Sequence, residues 1–302
     1  VKIGTVIYEP TIVEGFDFSF YYAKRADGAV GKPAKGMFND ITCFADAKTI
    51  RERPELVAVS KKGAATRANK LFNLPWDFVC PTNEEYRSHL LSFIKNTSEE
   101  DVKGVVLNLY HFPEEGFCTC ERCLKQQKES GLNWIEWRAQ VVTDFVRKAK
   151  ELATQTFAVE IWPDPVLAKE RFGLDFDSLA KYVDFFHVPL SSQNYLTMYW
   201  VDTLTRDFRK LLKKPLYVEL SAEVLGEIET KALLRTMAYV SSREVDAILL
   251  LVHTAKQAEE ICRIAVQDSN YRSWLDKFGF ENMARIIEKW EKTCQRQALA
   301  SR

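Results

Sequence analysis

Short apolar runs recur along this chain and alternate with longer stretches whose apolar positions have helical spacing. Lys2 to Tyr8 (KIGTVIY) predicts a first strand, stopped by Glu9-Pro10. Phe16 to Arg25 is aromatic and amphipathic and predicts the first helix, closed by Asp27-Gly28. Met37 to Phe44 predicts strand two, followed by a helix over Ala45 to Arg53 that Pro54 ends. Asn73 to Cys80 predicts strand three, after which Thr82 caps a helix over Asn83 to Lys95, with Glu85 at the capping-box position. Strands four to eight fall at Gly104–Tyr110, Phe157–Ile161, Val183–Val188, Leu216–Leu220 and Ala247–His253. Helices at Trp134–Ala153, Phe176–Tyr182, Trp200–Leu212 and Glu227–Val240 separate them, and Ala255 to Gln297 reads as helix throughout.

Eight strands alternating with helices predict an α/β fold, a single (β/α)8 TIM barrel with a C-terminal helical extension. No repeat or flexible linker divides the sequence, so residues 1–302 read as one domain, with 255–302 as terminal helices. Lys plus Arg and Asp plus Glu number 42 each, which argues against a nucleic-acid or membrane-surface protein. No apolar run approaches the ~20 residues of a membrane helix. The sequence opens at Val1 on a strand-like run without a signal-peptide pattern, and removal of an upstream segment is compatible with that start. Seven cysteines, three of them clustered, suit metal binding in a reducing, cytoplasmic setting better than a disulfide framework. Nothing in the sequence fixes the oligomeric state, and a homo-oligomer is compatible with it.

In this architecture the C-terminal ends of the strands carry the chemistry. Those ends offer Glu9, Asn39 and Asp40, Asn108 with Tyr110 and His111, Glu160, His187, Glu219 and His253. A carboxylate late in an otherwise apolar strand, as in FAVEIW or LYVEL, is costly to bury without a partner or a use. Glu219 and Glu160 are therefore the candidate catalytic carboxylates. Asn108, Tyr110, His111, Glu9, His187 and Trp162 are candidates for substrate binding. Seven Trp in a chain that is 12% aromatic are compatible with carbohydrate stacking, and Trp76, Trp162, Tyr195 and Trp200 lie near the predicted rim. His89 falls inside a predicted helix and reads as structural or exposed. No glycine-rich phosphate loop occurs.

Cys118, Cys120 and Cys123 form a Cys-x-Cys-x-x-Cys cluster directly after strand four. Three soft ligands in six residues suit tetrahedral Zn²⁺ once a fourth arrives, and Cys80, at the predicted end of strand three, is the candidate. A four-cysteine site is closed and structural. Cys43, Cys262 and Cys294 sit in apolar or helical settings and read as core or incidental.

A cysteine ending strand three followed by Cys-x-Cys-x-x-Cys after strand four resembles the zinc site of the family 42 β-galactosidases, within the clan of (β/α)8 retaining glycosidases. The stretches Val79–Arg87, GFCTCERC and the segment from Gly173 look like broader glycosidase-like barrels. The resemblance implies Glu219 as nucleophile. It also implies an acid/base Glu after the Asn that ends strand four, where this chain has Asn108-Leu109. A leucine cannot protonate a leaving group, so either Glu160, or Glu114 or Glu115 on the loop, is the candidate replacement, or the acid is absent. The resulting expectation is a glycoside hydrolase acting on a glycosidic bond, with a carbohydrate ligand and a structural zinc. Two alternatives stand beside it: a non-catalytic carbohydrate-binding barrel, which Leu109 favours, and a metal-dependent hydrolase using His111, His187 or His253.

Overall fold

The structure, a computed structural model, describes residues 1–190, 198–223 and 226–300. Eight parallel strands form a single closed barrel with flanking helices. In chain order the strands are β1 (Lys2–Ile7), β2 (Phe18–Lys24), β3 (Phe38–Thr42), the short pair β4 (Val59–Ser60) and β5 (Gly63–Ala64), β6 (Gly104–Asn108), β7 (Thr156–Glu160), β8 (Phe185–Pro189), β9 (Leu216–Ser221) and β10 (Ala247–Val252). The barrel order is β1-β10-β9-β8-β7-β6-β3-β2, with β4 and β5 apart as a two-stranded hairpin. No helix among the described residues is long and apolar enough to cross a membrane.

Seven of the eight expected strands lie close to where the apolar runs placed them; one does not form, and one observed strand stands where a helix was expected. Phe16–Arg25, expected as a helix, contains β2. Six of the seven residues of β2 are buried, a pattern that leaves no solvent face for a helix, and aromatic side chains fit a pleated sheet well. Asn73–Cys80, expected as strand three, is an irregular segment. Its backbone groups bond singly to different loops: Phe78 N–H to Ala65 O at 2.9 Å, Val79 N–H to Phe44 O and Cys80 N–H to Leu56 O, each at 2.8 Å. The two errors cancel in the count, so β6 remains fourth in sequence among the barrel strands and β9 seventh. Asn83, not Thr82, caps the helix Glu84–Glu99, its side chain accepting from Tyr86 N–H.

Two compact units divide the chain. The terminal unit comprises Val1–Tyr21 and Phe186–Arg302. In it β1 pairs with β10 over its whole length, from Lys2↔Ala247 to Ile7↔Val252, and β10 continues to β9 and β9 to β8. Register places Gly4, Leu249 and Glu219 on one face, where Phe18 also stacks on Tyr217 with ring centroids 5.5 Å apart. A Cβ on Gly4 would stand 2.4 Å from the Phe18 ring, so only glycine lets that ring fill the space. The expected helical extension is three helices, Ala255–Gln267, Ser269–Phe278 and Glu281–Ala300, anchored by fully buried Trp290.

The central unit comprises Tyr22–Phe185. Its β3, β6 and β7 pair in parallel, with Asp40↔Val106 and Val106↔Ala158 in register. The helices Glu84–Glu99 and Trp134–Leu152 pack against each other, and their apolar faces bury Leu90, Ile94, Val142, Phe145 and Val146.

Candidate functional site

The terminal unit holds the first group. Glu219 is the fourth residue of β9 and only 2% exposed, and Oε2 lies 3.0 Å from Nε2 of His187 on the adjacent β8. His187 is fully buried and packs against Phe20, ring centroids 5.7 Å apart. Closer to solvent, Glu223 accepts a hydrogen bond from the Tyr8 hydroxyl at 3.1 Å, and Tyr8 stacks on His253 with ring centroids 5.4 Å apart. His253 is about half exposed, its Nε2 3.7 Å from Glu223 Oε1. Glu9 accepts from the Ala255 backbone N–H at 3.3 Å, beside the start of the helix Ala255–Gln267.

The central unit holds a second group, on three neighbouring strands. Asp40 on β3 is fully buried, and Asn108 at the end of β6 donates from Nδ2 to Asp40 Oδ1. One carboxylate oxygen of Asp40 and one of Glu160, the last residue of β7, lie within 4.8 Å of each other. Tyr110 is fully buried; burial first, and then the Glu160 charge, raise its pKa well above the usual phenol value. Asn39 faces away from this group, its side chain bonded to Ala34 and Met37 backbone groups.

His111 is also fully buried, and its Nδ1 lies 2.6 Å from the Phe112 carbonyl, which makes Nδ1–H the donor and Nε2 the bare acceptor. Burial lowers its pKa to about 4, against the Phe112 hydrogen bond. Trp162 is half-buried, stacked on Phe172 at 5.6 Å, with its ring 6.0 Å from that of His111. Among the described residues the hydroxyl of Tyr110, Nε2 of His111 and Nε1 of Trp162 are buried polar atoms without a hydrogen-bond partner.

The third group is the cysteine cluster, also in the central unit. Cys80, Cys118, Cys120 and Cys123 bring their sulfurs within 4.8 Å of one another, an arrangement that could hold a metal ion. Cys80 Sγ lies 3.5 Å from Cys123 Sγ and 3.8 Å from Cys120 Sγ. It reaches the cluster from a loop, since the strand expected to carry it does not form. Hydrogen bonds from Cys118, Cys120 and Cys123 push the Cys80 thiol well below its ordinary value. Thr82, expected to cap a helix, instead places its hydroxyl 3.1 Å from Cys123 Sγ and 3.3 Å from Cys80 Sγ, and it accepts from Arg122 Nε at 3.0 Å.

The loop carrying three of these cysteines is tied down by Arg138. Its buried guanidinium donates to the carbonyls of Glu114, Glu170 and Arg171 at 2.6–2.8 Å and stacks over Phe112. Burial lowers the Arg138 pKa to about 10, so it stays charged at neutral pH. Glu114 is held by Arg171, with Nε donating to Oε1 at 2.8 Å, and Glu115 is exposed; neither stands among the buried oxygens of the second group. Trp76 and Trp200 are exposed, Trp200 beside Tyr199, and His89 is exposed on its helix. Tyr195 lies outside the described residues. Among those residues, no group able to hold a metal contains two of His111, His187 and His253.

Sequence reasoning missed Asp40 as the neighbour of Glu160, and it missed Tyr8 and Glu223 altogether. The only signal for Asp40 was an acid inside an apolar strand.

Neither a protein-family model nor a curated protein matches this chain in sequence. Among solved structures it is similar to alpha-L-fucosidase isoenzyme 2 from Paenibacillus thiaminolyticus, at TM-score 0.60 and 12% identity over 98% of this chain. The match takes in 49% of the fucosidase, so the chain spans about half that protein's length. It is also similar to an endo-1,4-beta-mannanase from Rhizomucor miehei, at TM-score 0.51 and 11% identity, covering 91% of this chain and 95% of the mannanase. At these identities the likeness establishes the fold.

Proposed function

We propose that this barrel is a glycoside hydrolase acting on a glycosidic bond, with Glu219 as nucleophile or transition-state stabiliser. The observation that carries the reading is the buried Glu219 carboxylate paired with His187 on adjacent barrel strands. The fold shared with a fucosidase and a mannanase supports it by analogy. Hydrolysis also needs a proton donor for the leaving group. Leu109 fills the position after Asn108 and is itself buried, with φ of 45°. Glu160, at the half-buried end of β7, is the proposed acid/base. Half-buried Trp162, just past the end of β7, is proposed to contact the sugar, with fully buried Tyr110 and His111 positioning the site from behind it.

Zinc is the metal proposed for the cysteine cluster. Tetrahedral Zn–S bonds of about 2.3 Å set sulfur–sulfur edges of about 3.8 Å, close to the 3.5 and 3.8 Å found between Cys80 and two of its neighbours. With four thiolates the site is closed, so the ion would hold the loop and leave the chemistry to the carboxylates.

The second reading, a carbohydrate-binding barrel without turnover, is favoured by Leu109. A panel of 4-nitrophenyl glycosides assayed with the native chain and with Glu219→Gln separates the two. Hydrolysis of at least one glycoside, reduced by ~10³-fold or more in the variant, supports the enzyme. Hydrolysis that survives the substitution sinks the role given to Glu219. Saccharide binding by calorimetry with no hydrolysis of any glycoside in the panel would favour the binding module.

A further inference from the structure

Asp40 has no task in the hydrolase reading, yet it is the most deeply buried carboxylate on the three central strands. It is fully buried, and one of its oxygens lies within 4.8 Å of a Glu160 oxygen. Asn108 belongs to β6, which pairs with both β3 and β7, and its Nδ2 donates to Asp40 Oδ1. The other end of that amide, Oδ1, is buried and accepts no hydrogen bond among the described residues. A buried carbonyl without a donor costs ~1–3 kcal/mol relative to a satisfied one. The Tyr110 hydroxyl, equally buried and unpartnered, lies within the influence of the Glu160 charge. Three adjacent strands thus carry two carboxylates and a carboxamide, with Tyr110 two residues past the end of β6.

We propose that Asp40, Glu160 and Asn108 Oδ1 bind a hard divalent cation of the Mg²⁺, Mn²⁺ or Ca²⁺ class. Carboxylate and carboxamide oxygens suit this class, whereas thiolates take softer ions. Two carboxylates at this separation repel when both are ionised, and a shared cation converts the repulsion into attraction. The Asn108 Nδ2 bond fixes the orientation of the Asp40 carboxylate, as outer-shell donors do around ligating carboxylates. The half-buried position of Glu160 leaves a path by which the ion and its remaining water ligands enter. Tyr110, two residues beyond Asn108 and with a buried hydroxyl, is assigned as a positioning residue. A ligating carboxylate stays ionised, so an ion here would transfer the acid's role from Glu160 to water on the cation. The hydrolase reading rests on Glu219 and stands under either result.

The test is a Mn²⁺ titration of the full chain followed by the electron paramagnetic resonance of free Mn²⁺. The cysteine cluster is first saturated with zinc, which outcompetes manganese for thiolates. One equivalent of Mn²⁺ beyond the zinc is expected, displaced by excess Ca²⁺ or Mg²⁺. Glu160→Gln and Asp40→Asn should each abolish it, Tyr110→Phe should weaken it by ~10-fold, and Glu115→Gln should leave it intact. Far-UV circular dichroism and zinc content report whether each variant folds, and Glu160→Gln, at the strand's half-buried end, decides if Asp40→Asn does not. Absence of bound Mn²⁺ and Ca²⁺ at millimolar concentration overturns the proposal. So does an equivalent that persists in Glu160→Gln. Neither measurement uses a glycoside, so failure here is distinct from failure of the hydrolase reading.

Discussion

Within the central unit, two loops and the first turn of the helix Glu121–Ser130 bring four cysteines together, whereas three hydrogen-bonded strands carry Asp40, Asn108 and Glu160. The loop region has little regular structure of its own. Its hairpin pairs only two residues from each strand, and single bonds such as Thr119 N–H to Val59 O at 2.7 Å and Val59 N–H to Cys118 Sγ at 3.3 Å fix the rest. The strand region has continuous register from Phe38↔Gly104 to Thr42↔Asn108. A metal clip can therefore supply order to the first region, while in the second the sheet's backbone pairing supplies it. Removing a group should cost structure in one and leave structure in the other.

The largest effect expected from that contrast is at Cys123, which is fully buried. Cys123→Ser removes one of four ligands and leaves three thiolates without their ion. Loss of a bound structural metal belongs among the few mechanisms that exceed ~4 kcal/mol. Thermal unfolding together with metal content per chain checks it: the variant should fail to hold the proposed zinc and unfold at markedly lower temperature. A variant that keeps native stability while losing its metal would show that the loops hold themselves, and the contrast would fail.

The same contrast explains what could be read from the sequence. The cysteine cluster was legible because three of its four ligands fall within six residues, and local spacing is what a sequence displays. The barrel was legible because buried parallel strands are continuous apolar runs, as in AILLLV of β10. FSFYYAK reads as an amphipathic helix, but every residue of it except Tyr22 is buried, as in a barrel strand. NLPWDFVC was misread because its apolar residues look like a strand while their backbone partners are scattered over separate loops. The pairs Asp40–Glu160 and His187–Glu219 are set by strand order and register. Each acid is recognisable at a strand end from its apolar neighbours, but the residue it meets lies far away along the chain. Thr82 was seen as a helix cap because a Thr before Glu84-Glu85 has that form; Asn83 takes the role one residue later.

The strand-built region should respond to acid. His111 follows β6 and is fully buried, and burial lowers its pKa to about 4. In the unfolded chain the imidazole titrates near 6.5. As pH falls through about 6.5, the unfolded state takes up a proton that the folded state refuses until about pH 4. Stability contributed by neutral His111 is therefore full above about pH 6.5 and is lost between there and about pH 4, by roughly 3 kcal/mol at ~1.4 kcal/mol per unit. Denaturant unfolding at a series of pH values, compared between the native chain and His111→Gln, measures it. The variant should lack this slope. Equal slopes in the two proteins would mean that the acid sensitivity arises elsewhere.

The smallest effect separates a ligand from the group that orients it. Thr82 contributes no sulfur, but its hydroxyl lies against Cys80 and Cys123 and accepts from Arg122. Thr82→Val keeps the shape and removes the hydroxyl. Two thiolates then lose a hydrogen-bonding neighbour and the Arg122 Nε–H loses its acceptor. Net loss of such a bond is about 1 kcal/mol, and outer-shell substitutions reduce metal affinity by ~10–100-fold. Competition with a chromophoric zinc chelator should show the affinity falling while the metal count per chain stays at one. If affinity is unchanged, the cysteine sulfurs alone define the clip, and the hydroxyl serves Arg122 rather than the metal.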